Sequence, residues 1–391
     1  MSVVVIDMNG DLVARLWKRL AANKISPDRI FSFDATDDEW VPPFNPLRGV
    51  GETHRRVQPF ISALRGDSAS LGVQIEEIAH GCYTALSEAG YSPLELDALL
   101  TNEAFRGAVL AKTRDAYALG FFEKYAALSP EQKQTWHLWI SNKQRPFLAL
   151  NRLRRILGTD GSSAFREAID TKGAVVLVSL GLDILGEAAG VLGGLIIQNI
   201  WNIVLERARL PEKDRPKTRL IIDEFQLMGS GIFASMVAEG RRFGLSLALA
   251  HQSQIQLDTS LRALIRNNAA VRLLFAPGPV DAESLVPELS PMQKSEAYAA
   301  LMNLSVGEAY VARRGETAVG VKVADAPDPR VEASAVSELR LAVCARTMRP
   351  VTDVDAELAR RAASIAALSG PQNPFKEVVH AKKPWRKLPE A

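Results

Sequence analysis

Cysteine is scarce in this sequence, and its scarcity excludes two kinds of protein. The two cysteines among 391 residues, Cys82 and Cys344, lie far apart and lack the spacing of a metal-binding pair. A small disulfide-stapled fold and a cysteine-based zinc site are therefore excluded. No secretory signal is recognisable either, so we expect a reducing, cytoplasmic compartment.

A marked excess of charge of one sign is also missing. Lysine and arginine number 47 against 45 for aspartate and glutamate, which leaves a net charge of +2. No global basic field therefore points to nucleic acid as a partner. Threading of DNA past a few arginines in a pore stays compatible with this balance.

Long uninterrupted apolar runs are lacking as well. Residues 174–182 are too few to span a bilayer, and residues 191–204 include Gln198, Asn199 and Asn202. No membrane anchor is predicted within the sequence. Attachment to the inner membrane would need an anchor upstream of it, or partner proteins.

What the sequence does contain is a strand that ends in two carboxylates. In Arg219–Leu227 (RLIIDEFQL), apolar residues 220–222 lead directly into Asp223 and Glu224. Such a run predicts a strand buried on both faces, and in open α/β sheets ligands bind just beyond the carboxyl ends of strands. One carboxylate there can hold hydrated Mg²⁺ while the next polarises water beside a phosphate. The alternative is a buried strand that meets an acidic turn.

The next segments repeat the strand–helix pattern. A helix is predicted at 232–243, with Gly244 as its C-cap, and a strand at 245–250 that ends in His251 and Gln252. An amide at the tip of the strand next to an acidic tip is typical of a γ-phosphate sensor. A third helix and strand follow at 259–267 and 271–275. These repeats predict an α/β fold with a parallel, doubly wound sheet.

Several motifs, in order, resemble one family. LIIDEFQ, AEGRRFGLSLALAHQ and the Ile265-Arg266-Asn267-Asn268 helix are similar to the second half of the motor domain of the HerA–FtsK superfamily of P-loop ATPases. VVVIDMNGDLV at 3–13, FNPL at 44–47 and Lys172-Gly173 with its strand resemble the earlier half. The resemblance is strongest to conjugative, type IV secretion coupling proteins, and it covers about residues 1–325.

The resemblance implies a domain organisation and fold. The motor would comprise residues 1–52 and 166–325, with a RecA-like P-loop NTPase sheet. The inserted all-α domain at 53–165, where apolar spacing is helical throughout, would lie at the entrance of a ring. Residues 326–391 would form a helical, basic C-terminal tail. In the inserted domain Arg145, Arg152, Arg154 and Arg155 make a basic stripe that is either a solvated helix face or a DNA contact.

The resemblance also implies roles for single residues. Asp223 would hold Mg²⁺ through water, Glu224 would activate the attacking water, and Gln252 would sense the γ-phosphate. Arg242, with Arg241 beside it, would reach into a neighbouring subunit's site, the alternative being cations that favour a helix C-terminus. The turn that carries Asp7, Gly10 and Asp11 would lie near the nucleotide, the alternative for an Asp there being a helix N-cap.

One element of the family is absent from the sequence. No GxxxxGK[ST] phosphate loop (Walker A) occurs, and the nearest glycine clusters, at 158–162 and 190–194, lack the Lys-Ser/Thr pair. The sheet is therefore expected to be incomplete, without its first strand, which would leave unpaired backbone on two neighbouring strands. We interpret the chain as the C-terminal portion of a longer motor that is inactive alone.

The predicted function follows from the resemblance. When complete, the motor would hydrolyse ATP with Mg²⁺ to move DNA or a relaxase–DNA complex through a homo-hexameric ring, together with type IV secretion components. Two alternatives stay open. One is a non-hydrolysing interaction protein that recruits relaxase or secreted substrate through the all-α domain, and the other is a HerA-like DNA-processing translocase.

Overall fold

A computed structural model describes residues 1–65, 72–159, 165–229, 231–289 and 291–368. The strands are β1 Ser2–Asp7, β2 Ile30–Asp34, β3 Trp40–Val41, β4 Val175–Ser179, β5 Thr218–Ile222, β6 Leu245–Leu249, β7 Val271–Leu274, β8 Glu308–Arg313, β9 Val319–Lys322 and β10 Arg349–Pro350. The helices are α1 Asp11–Ala22, α2 Thr53–Leu64, α3 Val73–Ala89, α4 Leu96–Thr101, α5 Glu103–Leu110, α6 Ala116–Ala126, α7 Pro130–Leu148, α8 Asn151–Gly158, α9 Phe165–Asp170, α10 Leu182–Leu185, α11 Glu187–Glu206, α12 Gly231–Glu239, α13 Thr259–Asn268, α14 Pro279–Leu285, α15 Lys294–Met302, α16 Ala333–Thr347 and α17 Val351–Leu368.

The centre of the fold is a parallel sheet of five strands in the order β2-β4-β1-β5-β6. Its middle strand, β1, pairs with β4 through Val4 and Val176 and with β5 through Val4 and Leu220, all three side chains being buried. Strands that are apolar on both faces need helices on both faces of the sheet. The α/β fold class predicted from the sequence is confirmed.

Helices cover the two faces of the sheet unequally. On one face Val13 and Trp17 of α1 and Val343 of α16 pack on Val5 and Leu177. On the other face α11 belongs to the main core, which continues into the helical region. Among the described residues α11, with the short turn after it, is the one helix long and apolar enough to cross a bilayer, and most of it is buried in the protein, as in a core helix.

Residues 53–158, as far as the structure describes them, contain helices and no strand. Their core is aromatic, and Phe60, Tyr83 and Phe105 are fully buried there. The apolar spacing stays helical through 101–119, but the structure does not form one helix there. That stretch contains the end of α4, then α5 and the start of α6, because Asn102 and Asp115 each accept a backbone N–H and begin a new helix.

The third strand of the predicted parallel series does not join the parallel sheet. β7 pairs antiparallel with β8, and β8 pairs antiparallel with β9, in a separate three-stranded sheet. The sequence predicts that 271–275 continues the parallel sheet, and among the described residues it does not. Helices α14 and α15 pack on one face of this small sheet through Leu274 and Ala312.

The C-terminal helices fold back over the molecule. α16 lies against β2, and Arg340 on it forms ion pairs with Asp34 and Asp37. β10 pairs with β3, and α17 then crosses α8. The helical part of the predicted tail is thus packed against the rest of the protein. The basic stretch that follows it, at 369–391, lies outside the described residues.

Candidate active site at the carboxyl edge of the sheet

The polar residues predicted to act together follow the carboxyl ends of β1, β5 and β6. Asp7 ends β1, Asp223 follows β5, and backbone bonds from the Asp223 N–H to the Ile6 carbonyl (3.0 Å) and from the Ala250 N–H to the Ile222 carbonyl (2.9 Å) hold the tips level. Parallel strands place such tips on a single edge. Strand pairing therefore brings Asp7 and Asp223 to one edge of the sheet.

Glu224 is the best-positioned side chain at this edge. Its two carboxylate oxygens accept hydrogen bonds from the side-chain amides of Gln252 (2.7 Å) and Gln226 (2.6 Å). Its backbone is left-handed, with φ of 51°, which a residue with a side chain rarely adopts. Strain of this kind, held in place by surrounding contacts, is typical of functional positions.

Asp223 is a carboxylate whose charge is not compensated. It accepts a hydrogen bond from the Glu224 N–H at 3.1 Å, and among the described residues no lysine or arginine forms an ion pair with it. Its pKa is raised, first by burial and then by the nearby charges of Glu224 and Asp7. A site with this electrostatic character favours a bound cation.

The donor set fits magnesium held by few protein ligands. Within the described ranges no group of three histidine, cysteine or acidic side chains could enclose a metal ion. Mg²⁺ binds through one or two carboxylates, waters and substrate phosphates rather than through a full protein cage. Asp223 is the residue that would hold it.

The turn after β1 has a structural use. Asp7 is buried, and its carboxylate accepts the backbone N–H groups of Asn9 (3.0 Å) and Val13 (2.9 Å), which fixes the start of α1. Gly10 is left-handed, with φ of 92°, and Asp11 is exposed in the first helical turn. The N-cap residue of α1 is Gly10, so Asp7 supports the first helical turn through the Val13 N–H without being the N-cap itself. A nucleotide contact by the three residues stays a prediction.

Arg241 and Arg242 lie far from Glu224 of their own chain. Both are exposed on the turn Gly240–Phe243, which precedes β6, whereas Gln252 follows β6. The five residues of β6 separate the two ends by about 16 Å. The structure therefore does not bring the arginines to the carboxylates of the same chain, and a role in catalysis would require a neighbouring subunit.

One hydrogen-bond partner in the site was not predicted from the sequence. Gln226 is the second amide on Glu224, and only the left-handed turn at Glu224 places it there. His251 packs edge-on against Phe225, with ring centroids 5.5 Å apart, so packing holds it in place.

The basic stripe is divided between pairing and exposure. Arg152 pairs with Asp38 and Arg155 with Asp355, while Arg145 and Arg154 are exposed. Half of the stripe is therefore used to hold the molecule together. A DNA contact through the other half stays a prediction.

Neither glycine cluster provides a phosphate loop in the part that the structure describes. Residues 190–194 lie inside α11, where added Cβ atoms at Gly190 and Gly194 would meet the backbone oxygens of Leu227 and Met228. The cluster at 158–162 falls partly outside the described residues. The carboxyl edge of the sheet thus contains the candidate metal-binding and water-activating residues, and the described residues there include no phosphate-binding loop.

Comparison with solved structures finds proteins that have a similar fold. The bacterial conjugative coupling protein TrwBdeltaN70 superposes with a TM-score of 0.57 at 17% identity, covering 85% of this chain and 80% of that one. The chain has the fold of a conjugative coupling protein. TrwB in complex with ADP and Mg²⁺ superposes with a TM-score of 0.57 at 17% identity, covering 84% of this chain and 79% of that one. VirB4 of Thermoanaerobacter pseudethanolicus superposes with a TM-score of 0.52 at 16% identity, covering 83% of this chain and 89% of that one.

These matches confirm the resemblance at the level of fold. The predicted RecA-like ATPase architecture is the one that TrwB and VirB4 share with this chain. No family model matches the sequence, and no curated protein is significantly similar to it. At 16–17% identity, the structural likeness leaves activity and partners to be argued from the site.

Proposed function

We propose that this chain carries the metal-binding, water-activating and sensor residues of an ATP-hydrolysing motor of the type IV secretion and conjugation class. The observation that carries the proposal is the contact between Glu224 and Gln252 at 2.7 Å, beside Asp223, at one edge of the sheet. An acid and an amide from adjoining strand tips are what hydrolysis and sensing of a terminal phosphate require. The binding of ADP and Mg²⁺ by TrwB, which has this fold, supports the same reading.

We infer separate tasks for the three side chains. Asp223 would hold Mg²⁺, which supplies charge neutralisation at the phosphates. Glu224, fixed by two amides, would accept a proton from the attacking water. Because the Gln252 amide bonds to Glu224, its movement toward a terminal phosphate would release one carboxylate oxygen for that water. Sensing and base activation are coupled in this way through one hydrogen bond.

Hydrolysis by this site requires a phosphate-binding loop, which the sequence lacks. We therefore propose that the chain alone is inactive and acts once such a loop is supplied. In a homo-hexameric ring, Arg242 and Arg241 of one subunit would approach the carboxylates of the next, since within one chain they lie at opposite ends of β6. DNA or a relaxase–DNA complex would be the cargo, with type IV secretion components as docking partners in the cytoplasm or at the inner membrane.

The test is ATP turnover by the chain joined to a segment that bears a Gly-Lys-Ser/Thr loop. We expect Mg²⁺-dependent hydrolysis that DNA stimulates. Glu224→Gln should lower turnover at least about a hundredfold, because the water loses its base, while ATP binding is retained. Glu239→Gln, at an exposed carboxyl on α12, is the control. Equal turnover by Glu224→Gln and the parent would refute the assignment.

A second function is favoured by the missing loop itself. A non-hydrolysing protein that recruits relaxase or secreted substrate through the helices of residues 53–158 would need no nucleotide. ATP-binding measurements on the chain, with and without the supplied loop, separate the two. Substrate capture that proceeds equally well when the loop and ATP are both withheld would favour the recruiting protein.

A further inference from the structure

A cleft lies where the helices of residues 53–158 meet α11. It is lined by the connection that follows β3, by α2 and by the middle of α11, with Phe44, Arg48, Arg56, Gln198 and Asn199 among the side chains. The described residues of the carboxyl edge do not line it. Its polar groups therefore take no part in the candidate active site.

The size of the cleft limits what can enter it. Its enclosed part has a volume of only about 10 Å³, which is room for one water-sized oxygen, and the rest is open to solvent. Larger organic ligands need cavities of about 300 Å³ or more. A ligand that fits here inserts one oxygen and keeps its other atoms at the mouth of the cleft.

Arg56 brings a positive charge into the cleft without a matching carboxylate. Its guanidinium donates to the Gly51 carbonyl oxygen, to the Thr53 hydroxyl at 3.1 Å and to the Ser87 hydroxyl at 3.4 Å. All three acceptors are neutral, and Arg56 forms no ion pair with any described residue. The charge of this partly buried side chain is therefore left uncompensated.

The surroundings of Arg56 favour a bound anion. The pKa of Arg56 is lowered chiefly by burial, Glu88 opposes the shift, and the like charge of Arg48 adds to it. The Glu88 carboxylate is used elsewhere, because it accepts the backbone N–H groups of Arg114 (2.6 Å) and Asp115 (3.0 Å). An anion in the cleft would supply the missing negative charge through a charge-assisted hydrogen bond.

A chain of hydrogen bonds orients the amides of α11 that line the cleft. The Arg55 carbonyl oxygen can only accept, so Asn202 presents its side-chain NH₂ group to it at 3.2 Å. The Asn202 side-chain oxygen then accepts the NH₂ group of Gln198 at 3.1 Å. This orientation leaves the Gln198 side-chain oxygen as an acceptor without a described donor. The cleft thus offers a cation and a hydrogen-bond acceptor together.

We propose that this cleft binds a protonated oxyanion, free inorganic phosphate. A negatively charged oxygen pairs with Arg56, and a P–O–H group donates to the Gln198 side-chain oxygen. Phosphate keeps at least one hydroxyl at pH 7, whereas sulfate has the same shape and keeps none, so the acceptor discriminates between the two anions. Bound phosphate contacts both α2 and α11 and holds them together. The inference does not depend on the proposed function, because the binding needs no nucleotide.

The first test is an NMR titration of the full chain with inorganic phosphate at pH 7 and constant ionic strength, with sulfate as the matched control. We expect a dissociation constant of about 1 mM or lower for phosphate and binding at least about tenfold weaker for sulfate. Phosphate should shift the side-chain amide signals of Gln198 and Asn202. Equal binding of both anions would indicate an adventitious ion only, and unshifted Gln198 signals at saturating phosphate would overturn the proposal.

Matched variants separate the role of charge from that of selectivity. Arg56→Gln should weaken phosphate binding at least about tenfold, whereas Arg55→Gln, an equal change of charge at an exposed position on α2, should alter it less than about twofold. Equal weakening by both variants would mean that net charge alone attracts the anion.

Gln198→Met keeps the length of the side chain but removes the acceptor. The preference for phosphate over sulfate should therefore fall to about one. If Gln198 has a structural role only, both anions should weaken alike and the preference should persist, which would contradict the proposal. Circular dichroism checks that each variant is folded, and the comparison of the two anions on the parent chain does not depend on any variant.

Discussion

At the scale of single residues, Glu224 shows how the site is held. Its left-handed backbone costs about 1 kcal/mol or more, which the fold must offset through the amides of Gln226 and Gln252 and through the buried ring of Phe225. The acidic strand and the amide after β6 were predictable, because periodicity fixes the strands and strand order fixes the edge. The hydrogen bond from Gln226 was not predictable, because no local sequence pattern predicts a glutamate in the left-handed conformation.

Asp223 gives a prediction about stability and pH. Its pKa is raised by burial, Glu224 and Asp7, so the ionised carboxylate destabilises the folded state at pH 7. Asp223→Asn should therefore raise the free energy of unfolding, by less than about 1 kcal/mol because the side chain is largely solvated. The gain should fall as the pH is lowered through the pKa of the folded state and vanish below that of the unfolded state.

Thermal unfolding at a series of pH values measures this effect. Asp183→Asn is the control, since Asp183 is an exposed carboxyl in the first turn of α10 and its loss should give no gain. A fall in stability for Asp223→Asn at pH 7 would show that the charge is already compensated and would contradict the argument.

At the scale of elements, the glycines of α11 determine how close the turn after the acidic pair can lie. An added Cβ at Gly190 would fall 2.2 Å from the Leu227 carbonyl oxygen, and this backbone contact cannot be relieved by a side-chain rotation. Gly190→Ala should cost about 1–3 kcal/mol of stability and displace the turn that holds Glu224. Denaturant unfolding measures the cost.

A glycine without neighbours is the matched control for Gly190. Gly107 on α5 is exposed and has open space around its Cβ position. Gly107→Ala should stabilise the protein by up to about 1 kcal/mol through helix propensity alone. The two substitutions are chemically identical and should have opposite signs. Stabilisation by both would mean that α11 has room to move away from the turn.

Pairing of elements was less predictable than their existence. β7 has the same apolar character as the interior strands, yet it joins β8 and β9, because strand pairing is decided by the hairpin that folds beside it and not by its own residues. The break between α5 and α6 depends similarly on Asp115 and on Glu88, which accepts the N–H groups of Arg114 and Asp115 from a distant helix. The local spacing of apolar residues does not reveal such distant contacts.

At the scale of the whole molecule, polar contacts fix α17 to the helical region. Arg155 of α8 pairs with Asp355, and the Asn102 side chain donates to the Ile365 carbonyl oxygen. Near the middle of α17, Arg361 donates to the Gly158 carbonyl at 2.6 Å and pairs with the buried Glu95 at 3.3 Å. The C-terminal helix is therefore part of the structure's support.

Arg361 should be the most costly of these contacts to lose. Burial raises the pKa of Glu95, and Arg361 and Ser92 oppose that shift, so the arginine stabilises a carboxylate that is removed from water. Arg361→Ala leaves Glu95 buried without its cation, for which we expect a loss of about 3–5 kcal/mol in the free energy of unfolding. Arg360→Ala, one residue away and exposed, should change stability by less than about 0.5 kcal/mol. Urea unfolding of the two variants at pH 7 compares them directly. Because the penalty comes from the charge on Glu95, adding Glu95→Gln to Arg361→Ala should recover part of the loss, whereas no recovery would mean that α17 contributes through packing alone.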